Sequence, residues 1–157
     1  MTDTAKQINV GDLAPDFTLL SAGGKEVTLS QLRSKTVVLY FYSKNNTAGC
    51  TNEALEFRDT YAEFTALNAI VVGISRDPVT SHEKFIAKHQ LPFILLSDAE
   101  SKVSELYGVL KLKNMYGKKV MGIERSTFII NPDGVITNIF RKVKVAGHAK
   151  ACLAALS

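Results

Sequence analysis

Residues 36–67 read TVVLYFYSKNNTAGCTNEALEFRDTYAEFTAL, and this stretch decides the fold class. Residues 36–42 are β-branched and aromatic with no polar alternation, which is the composition of a strand buried on both faces. From Thr51 to Leu67 the pattern changes: Ala54, Phe57, Tyr61, Phe64 and Leu67 recur at helical spacing and set one stripe of a helix against a core. A rigid strand thus runs into a short polar loop, SKNNTAGC, that opens a helix. The loop carries a single cysteine, Cys50.

Working outward, apolar runs continue to alternate with helical patterns. Residues 69–75 are another buried strand. Residues 79–90 read as a helix with Phe85 and Ile86 turned inward, ending before Leu91-Pro92 because proline disfavours helix in the residue that precedes it. Residues 93–97 are a strand, and 100–107 a short helix closed by Gly108. Upstream, 16–20 and 27–29 are extended pieces on either side of the turn Ala22-Gly23-Gly24-Lys25. Downstream, 126–131 and 135–141 flank Asn131-Pro132-Asp133-Gly134, a hairpin turn by its residue types. An Ala-rich helix over 145–156 closes the chain. The order β-β-β-α-β-α-β-α-β-β-α predicts helices packed on a mixed sheet, with parallel central strands and the last hairpin supplying antiparallel edge strands. That is the pattern of a thioredoxin-like α/β fold with an N-terminal extension, read as one domain over 1–157.

Composition agrees. Among 157 residues, 46% are hydrophobic and 22% charged, enough apolar surface for a core and far from a disordered balance. The opening MTDTAKQINVGD has no apolar segment of the kind a secretory leader carries. Runs such as AIVVGI are too short to cross a bilayer. A soluble cytoplasmic protein is expected. Net charge is +4, but residues 111–150 hold nine Lys/Arg against only Glu124 and Asp133, a local +7 that leaves about −3 for the rest. Without interleaved aromatics or a nucleic-acid motif, this reads as a solvated basic face that draws anions, with no nucleic-acid or membrane partner. His82, His89 and His148 are scattered and read as solvated surface residues, so no metal site is expected.

Two cysteines, Cys50 and Cys152, form neither a CxxC nor a Cys/His cluster. Cysteine chemistry needs thiolate, and a helix N-terminus favours an anion through its unpaired N–H groups and its dipole. Thr47 is placed to be the N-cap, which puts Cys50 in the first turn. Gly49 leaves room for a substrate to approach the backbone. Local physics leaves two readings open here, a reactive thiol and an inert buried one.

The wider pattern separates them. Ser43-Lys-Asn-Asn-Thr47-Ala-Gly-Cys50 resembles the Pro-x-x-x-Thr-x-x-Cys loop of peroxiredoxins, and most closely the bacterioferritin-comigratory or Q-type subfamily. GDLAPDFTL (11–19), VVGISRDPVTSHEKF (71–85), YGKKVMGIERSTFIINPDG (116–134) and RKVKVAGHA (141–149) resemble further segments of that subfamily, so the likeness spans nearly the whole chain. It implies a thiol-dependent peroxidase that reduces hydrogen peroxide and organic hydroperoxides through a cysteine sulfenic acid, without cofactor or metal. Cys50 would be the nucleophile and Thr47 would hydrogen-bond the peroxide. Arg125 would hold the thiolate charged and orient the peroxide, and the backbone N–H groups of Gly49 and Cys50 would complete the cradle. The structural alternatives are a surface ion pair of Arg125 with Glu124 and a plain helix cap for Thr47.

Two departures from the family pattern stand out. The signature proline is Ser43, which is smaller, lets more water near the sulfur and can donate a hydrogen bond to substrate. A resolving cysteine is missing from both places the subfamily uses, where this chain has Leu55 and Ile86. An external thiol (thioredoxin, glutaredoxin or glutathione) is then expected to finish the reaction. Cys152 is the other candidate resolver, although Val145, Ala149, Cys152 and Leu156 share one helical face and read as core. A monomer or weak dimer is expected. The alternative function is a redox sensor or relay that passes its oxidation to a partner protein.

Overall fold

The computed structural model describes residues 8–156. Nine strands are present: β1 (Thr18–Ser21), β2 (Glu26–Thr28), β3 (Thr36–Phe41), β4 (Ala69–Ser75), β5 (Ile94–Ser97), β6 (Leu110–Met115), β7 (Lys118–Ile123), β8 (Ser126–Ile130) and β9 (Ile136–Phe140). Four α-helices accompany them: α1 (Ala48–Ala66), α2 (Val79–His89), α3 (Lys102–Leu106) and α4 (His148–Ala155), with a 3-10 turn at Leu29–Leu32. Seven strands form one sheet in the order β2-β1-β5-β4-β3-β8-β9. The apolar runs β3, β4 and β5 are parallel neighbours at its centre, as their composition requires.

Strand alternation sorts the core into two layers. Val38, Tyr40 and Tyr42 point to one face, where Ala54, Phe57 and Phe64 of α1, Phe85 of α2 and Ala149 and Cys152 of α4 cover them. Val37, Leu39 and Phe41 point to the other, against Phe17, Val103, Tyr107 and Phe128. Burying one such aromatic stabilises by about 1.5–3 kcal/mol, and Phe57, Phe64 and Phe128 are each at 0% exposure. Gly73 of β4 is glycine because a Cβ there would lie 2.8 Å from the Tyr40 ring and from Leu95.

Several sequence expectations need correction. The hairpin after Ile130 does not supply two edge strands: β8 lies inside the sheet between β3 and β9, and only β9 is an edge. The helical run read from residue 51 extends three residues further back, to Ala48, in keeping with Thr47 at the N-cap and Cys50 in the first turn. A second two-stranded sheet, β6–β7, follows α3 and was not anticipated. Its turn is Tyr116-Gly117 with φ of 53° and 77°, both in the left-handed region that a type I′ hairpin turn needs. The histidines are not all solvated. His82 is at 0% exposure and His148 at 6%, and burial holds the His148 imidazole down at about 4. Among the described residues no helix is long and apolar enough to cross a membrane.

Candidate active site

The Cys50 loop leaves the C-terminal end of β3 in the middle of the sheet. Thr47 has extended backbone (φ −87°, ψ 151°) and stands at the N-cap; its carbonyl accepts the first helical bond, from Thr51 N–H at 2.9 Å. The N–H groups of Gly49 and Cys50 therefore have no acceptor within the helix and face its open end. The Thr47 hydroxyl does not cap the helix. It donates to the Lys44 carbonyl at 2.9 Å, which leaves its lone pairs free. Cys50 packs among Tyr40, Tyr42, Ala54 and Phe57 and is 2% exposed.

Arg125 reaches this turn from 75 positions away because of strand register. β8 runs antiparallel to β3, with Ser126 opposite Phe41, so the residue entering β8 lies beside the loop leaving β3. Its Nη2 donates to Cys50 Sγ at 3.3 Å, and its Nη1 donates to Glu53 Oε1 at 2.6 Å. Its ion-pair partner is thus Glu53, not the Glu124 of the structural alternative. Gly49 faces the same guanidinium: a Cβ there would lie 3.2 Å from Arg125 Nη2, so the room expected for substrate at this glycine is taken by the arginine. Ser43 is exposed, and its hydroxyl has no partner among the described residues.

Glu53 was not singled out from sequence, yet it lies in the site at 1% exposure. A signal was present: a carboxylate three residues after Cys50 and one before Ala54 falls on the buried stripe of α1. Burial pushes the Glu53 carboxyl up to about 7, with the Arg125 charge opposing. Its second oxygen, Oε2, is buried without a hydrogen-bond partner among the described residues. For Arg125, burial works against the charge, but Glu53 and Cys50 outweigh it and hold the guanidinium above its ordinary value. A sulfur with a fixed cation on one side and free backbone donors on another can attack an electrophilic oxygen and stabilise the oxygen that leaves.

Cys152 stands apart, at 0% exposure in the layer under α4, with its Sγ 3.4 Å from His148 Nε2. Burial pushes its thiol up to about 12. Leu55 and Ile86 are half-buried on α1 and α2.

Comparison with known proteins agrees with this geometry. Residues 10–139 match the AhpC/TSA family. The putative peroxiredoxin bcp of Coxiella burnetii is 49% identical over 141 residues, which are 90% of this chain and 93% of that protein. Peroxiredoxin Bcp of Bacillus subtilis is 47% identical over 149 residues, 95% of each chain. The Xanthomonas campestris bacterioferritin comigratory protein, solved in trapped-intermediate and ligand complexes in relation to its alkyl peroxide reduction, superposes with a TM-score of 0.86 at 46% identity over 89% of both chains. By the family match and by relatives alike over nearly their full length, the chain belongs to the AhpC/TSA family, as a thioredoxin-like thiol peroxidase of its Bcp or Q-type peroxiredoxin group.

Proposed function

We propose that this chain reduces hydrogen peroxide and organic hydroperoxides through Cys50 and relies on an external thiol to recycle it. One observation carries the reading: the Arg125 Nη2 bond to Cys50 Sγ at 3.3 Å in the first turn of a helix. The thiolate attacks one peroxide oxygen, the O–O bond breaks, and the departing oxygen leaves as hydroxide or alkoxide. Cys50 becomes a sulfenic acid. Arg125 and the N–H groups of Gly49 and Cys50 bind the charge as it moves onto oxygen, so they favour the transition state over the bound peroxide. Thr47, whose proton goes to the Lys44 carbonyl, is set to accept a hydrogen bond from the hydroperoxide O–H. Ser43 of this loop is itself exposed, while Cys50 is buried at 2% exposure.

Recycling then needs two equivalents of thiol. The first forms a mixed disulfide with Cys50 and releases water; the second displaces Cys50 as thiol and carries the disulfide away. The burial of Cys152 and its high titration argue against its serving as the first of these. An outside thiol is the supported partner. Intact mass after one equivalent of peroxide tests this. A gain of one oxygen on Cys50, lost on adding thiol with steady turnover, is the expected result. Loss of two hydrogens that disappears in Cys152→Ser would overturn external resolution, and an oxidised form that only one partner protein can reduce would favour a relay.

A further inference from the structure

A second cluster of buried polar groups lies behind the Cys50 loop, and the peroxide chemistry does not use it. Tyr42, Asn45, Ser75, Asp77 and His82 are each 8% exposed or less. They come from the end of β3, the loop, the end of β4, the following turn and α2. Asn45 is the hub. Its backbone N–H donates to Asp77 Oδ2 at 2.8 Å, and its Oδ1 accepts from the Tyr42 hydroxyl at 2.6 Å. The two protons of Nδ2 go to Ser81 Oγ and His82 Nδ1, both at 3.1 Å. Asp77 Oδ2 also accepts from Ser75 Oγ at 2.6 Å. On its other side the His82 ring donates to the Leu96 backbone of β5 and lies 3.5 Å from Ser75 Oγ.

These contacts fix the protonation of the ring. Nδ1 faces the Asn45 N–H donor and, at 3.5 Å, the Tyr42 hydroxyl, whose proton goes to Asn45 Oδ1, so Nδ1 carries a lone pair and Nε2 the proton. His82 is neutral in this arrangement. A second proton, on Nδ1, would point at the Asn45 amide protons in a fully buried site.

We propose that His82 is a positioning residue for Cys50: neutral, it fastens the loop of residues 43–47 to α2, and on taking a proton it releases that loop and opens the sulfur to an outside thiol. The opening is reversible proton binding: Nδ1 takes a proton from solvent and forms an N–H bond, with no heavy-atom bond made or broken and no change of oxidation state. Burial holds the ring's titration below its ordinary 6.5, and Asp77, the charged group facing it, only partly opposes this. The sign follows. The closed loop disfavours the proton and the open loop does not, so closure is firm above about pH 6.5. Below that, the open population grows about tenfold per pH unit until the closed-state ring itself titrates.

The catalytic consequence rests on the reading of Cys50 as the reacting thiol; the loop equilibrium does not, and the experiment separates them. Hydrogen exchange of the reduced full-length protein is followed by mass spectrometry from pH 5 to 8, corrected for intrinsic rates, in peptides covering residues 43–51. Wild type is expected to show opening that rises about tenfold per pH unit below about 6.5. His82→Asn supplies an amide oxygen where Nδ1 stood and cannot titrate, so the loop stays protected and the slope vanishes. Asn45→Asp puts a carboxylate against the ring, favours the protonated form and reverses the slope. A flat wild-type profile, or the same slope in His82→Asn, would overturn the proposal. In a second arm, 2-mercaptoethanol recycles peroxide-treated protein, and wild type is compared with His82→Asn at each pH so that thiol ionisation cancels. Wild type should gain up to about fivefold relative to the variant between pH 6.5 and 5.5. If exchange behaves as expected but this gain is missing, the loop equilibrium stands and its role in admitting an outside thiol fails; failure of 2-mercaptoethanol to recycle the protein at any pH would instead sink the external-thiol reading of Cys50.

Discussion

Glu53 and Cys50 share one cation, the Arg125 guanidinium, whose nitrogens reach the carboxylate at 2.6 Å and the sulfur at 3.3 Å. The arrangement costs stability in a defined pH window. Glu53 titrates near 7 in the folded chain against an ordinary 4.5. Between those values the unfolded chain has lost its proton and the folded chain has kept it, so stability falls as pH rises and levels off above about 7. Glu53→Gln carries no such proton. Urea unfolding at pH 5 and pH 7 should show wild type losing about 2 kcal/mol relative to the variant. Above about pH 7, where Glu53 is ionised, the amide should grip Arg125 less firmly and lower kcat/KM for peroxide about tenfold, a difference that shrinks toward pH 5. An equal pH response in the two proteins would show that Glu53 is already ionised at pH 5. At this scale the sequence was informative where residue type and order carry the chemistry. The motifs pointed to Cys50, Thr47 and Arg125, and the structure brings Cys50 and Arg125 into contact. It was silent where meaning depends on depth: Glu53, Asn45, Asp77 and His82 are ordinary surface residue types until the fold buries them.

Helices α1 and α4 meet through polar as well as apolar groups. Glu56 of α1 accepts from the N–H groups of Gly147 and Ala149 at 3.2 and 3.4 Å, so a side chain 91 residues distant caps α4. Beneath it, His148 Nε2 lies 2.8 Å from Thr127 Oγ1, and Cys152 fills the layer below. Sequence periodicity correctly put Ala149 and Cys152 on the inner face, but it started the helix too early, at 145, because Gly147 and its remote cap mark the true start. Cys152 should therefore be invisible to reagents in the folded protein. Iodoacetamide at pH 8 should leave Cys152 unlabelled in the native chain and label it after denaturation. Rapid native labelling of Cys152 would mean that α4 detaches readily. The β6–β7 hairpin escaped notice for a different reason. Its alternation, LKLKNM and KKVMGI, was readable, but Tyr116 at positive φ is an unusual turn residue, and the lysines drew the segment into a reading about charge.

On the scale of the molecule, one topological fact assembles the site. Because β8 returns antiparallel beside β3, the two ends that carry Cys50 and Arg125 meet at one end of the sheet. Alternating apolar runs announced the parallel centre, whereas neighbour order across the sheet is a property of the whole chain and left no local trace. The hairpin is attached at its root. Glu124 N–H donates to the Val109 carbonyl at 2.8 Å, Lys113 Nζ to the Ile123 carbonyl at 2.7 Å, and Arg76 to the Met121 carbonyl at 3.2 Å. Those ties lie between Arg125 and the tip, where Tyr116 is 99% exposed. The tip is consequently a place to write new sequence. A flexible insert of about six residues between Tyr116 and Gly117 should leave the rate of peroxide reduction within about twofold, and a larger loss would show that the root does not insulate Arg125. If it does, the tip can carry a fluorophore or an affinity handle, and the chain becomes a peroxide-reacting module that can be tethered to a surface.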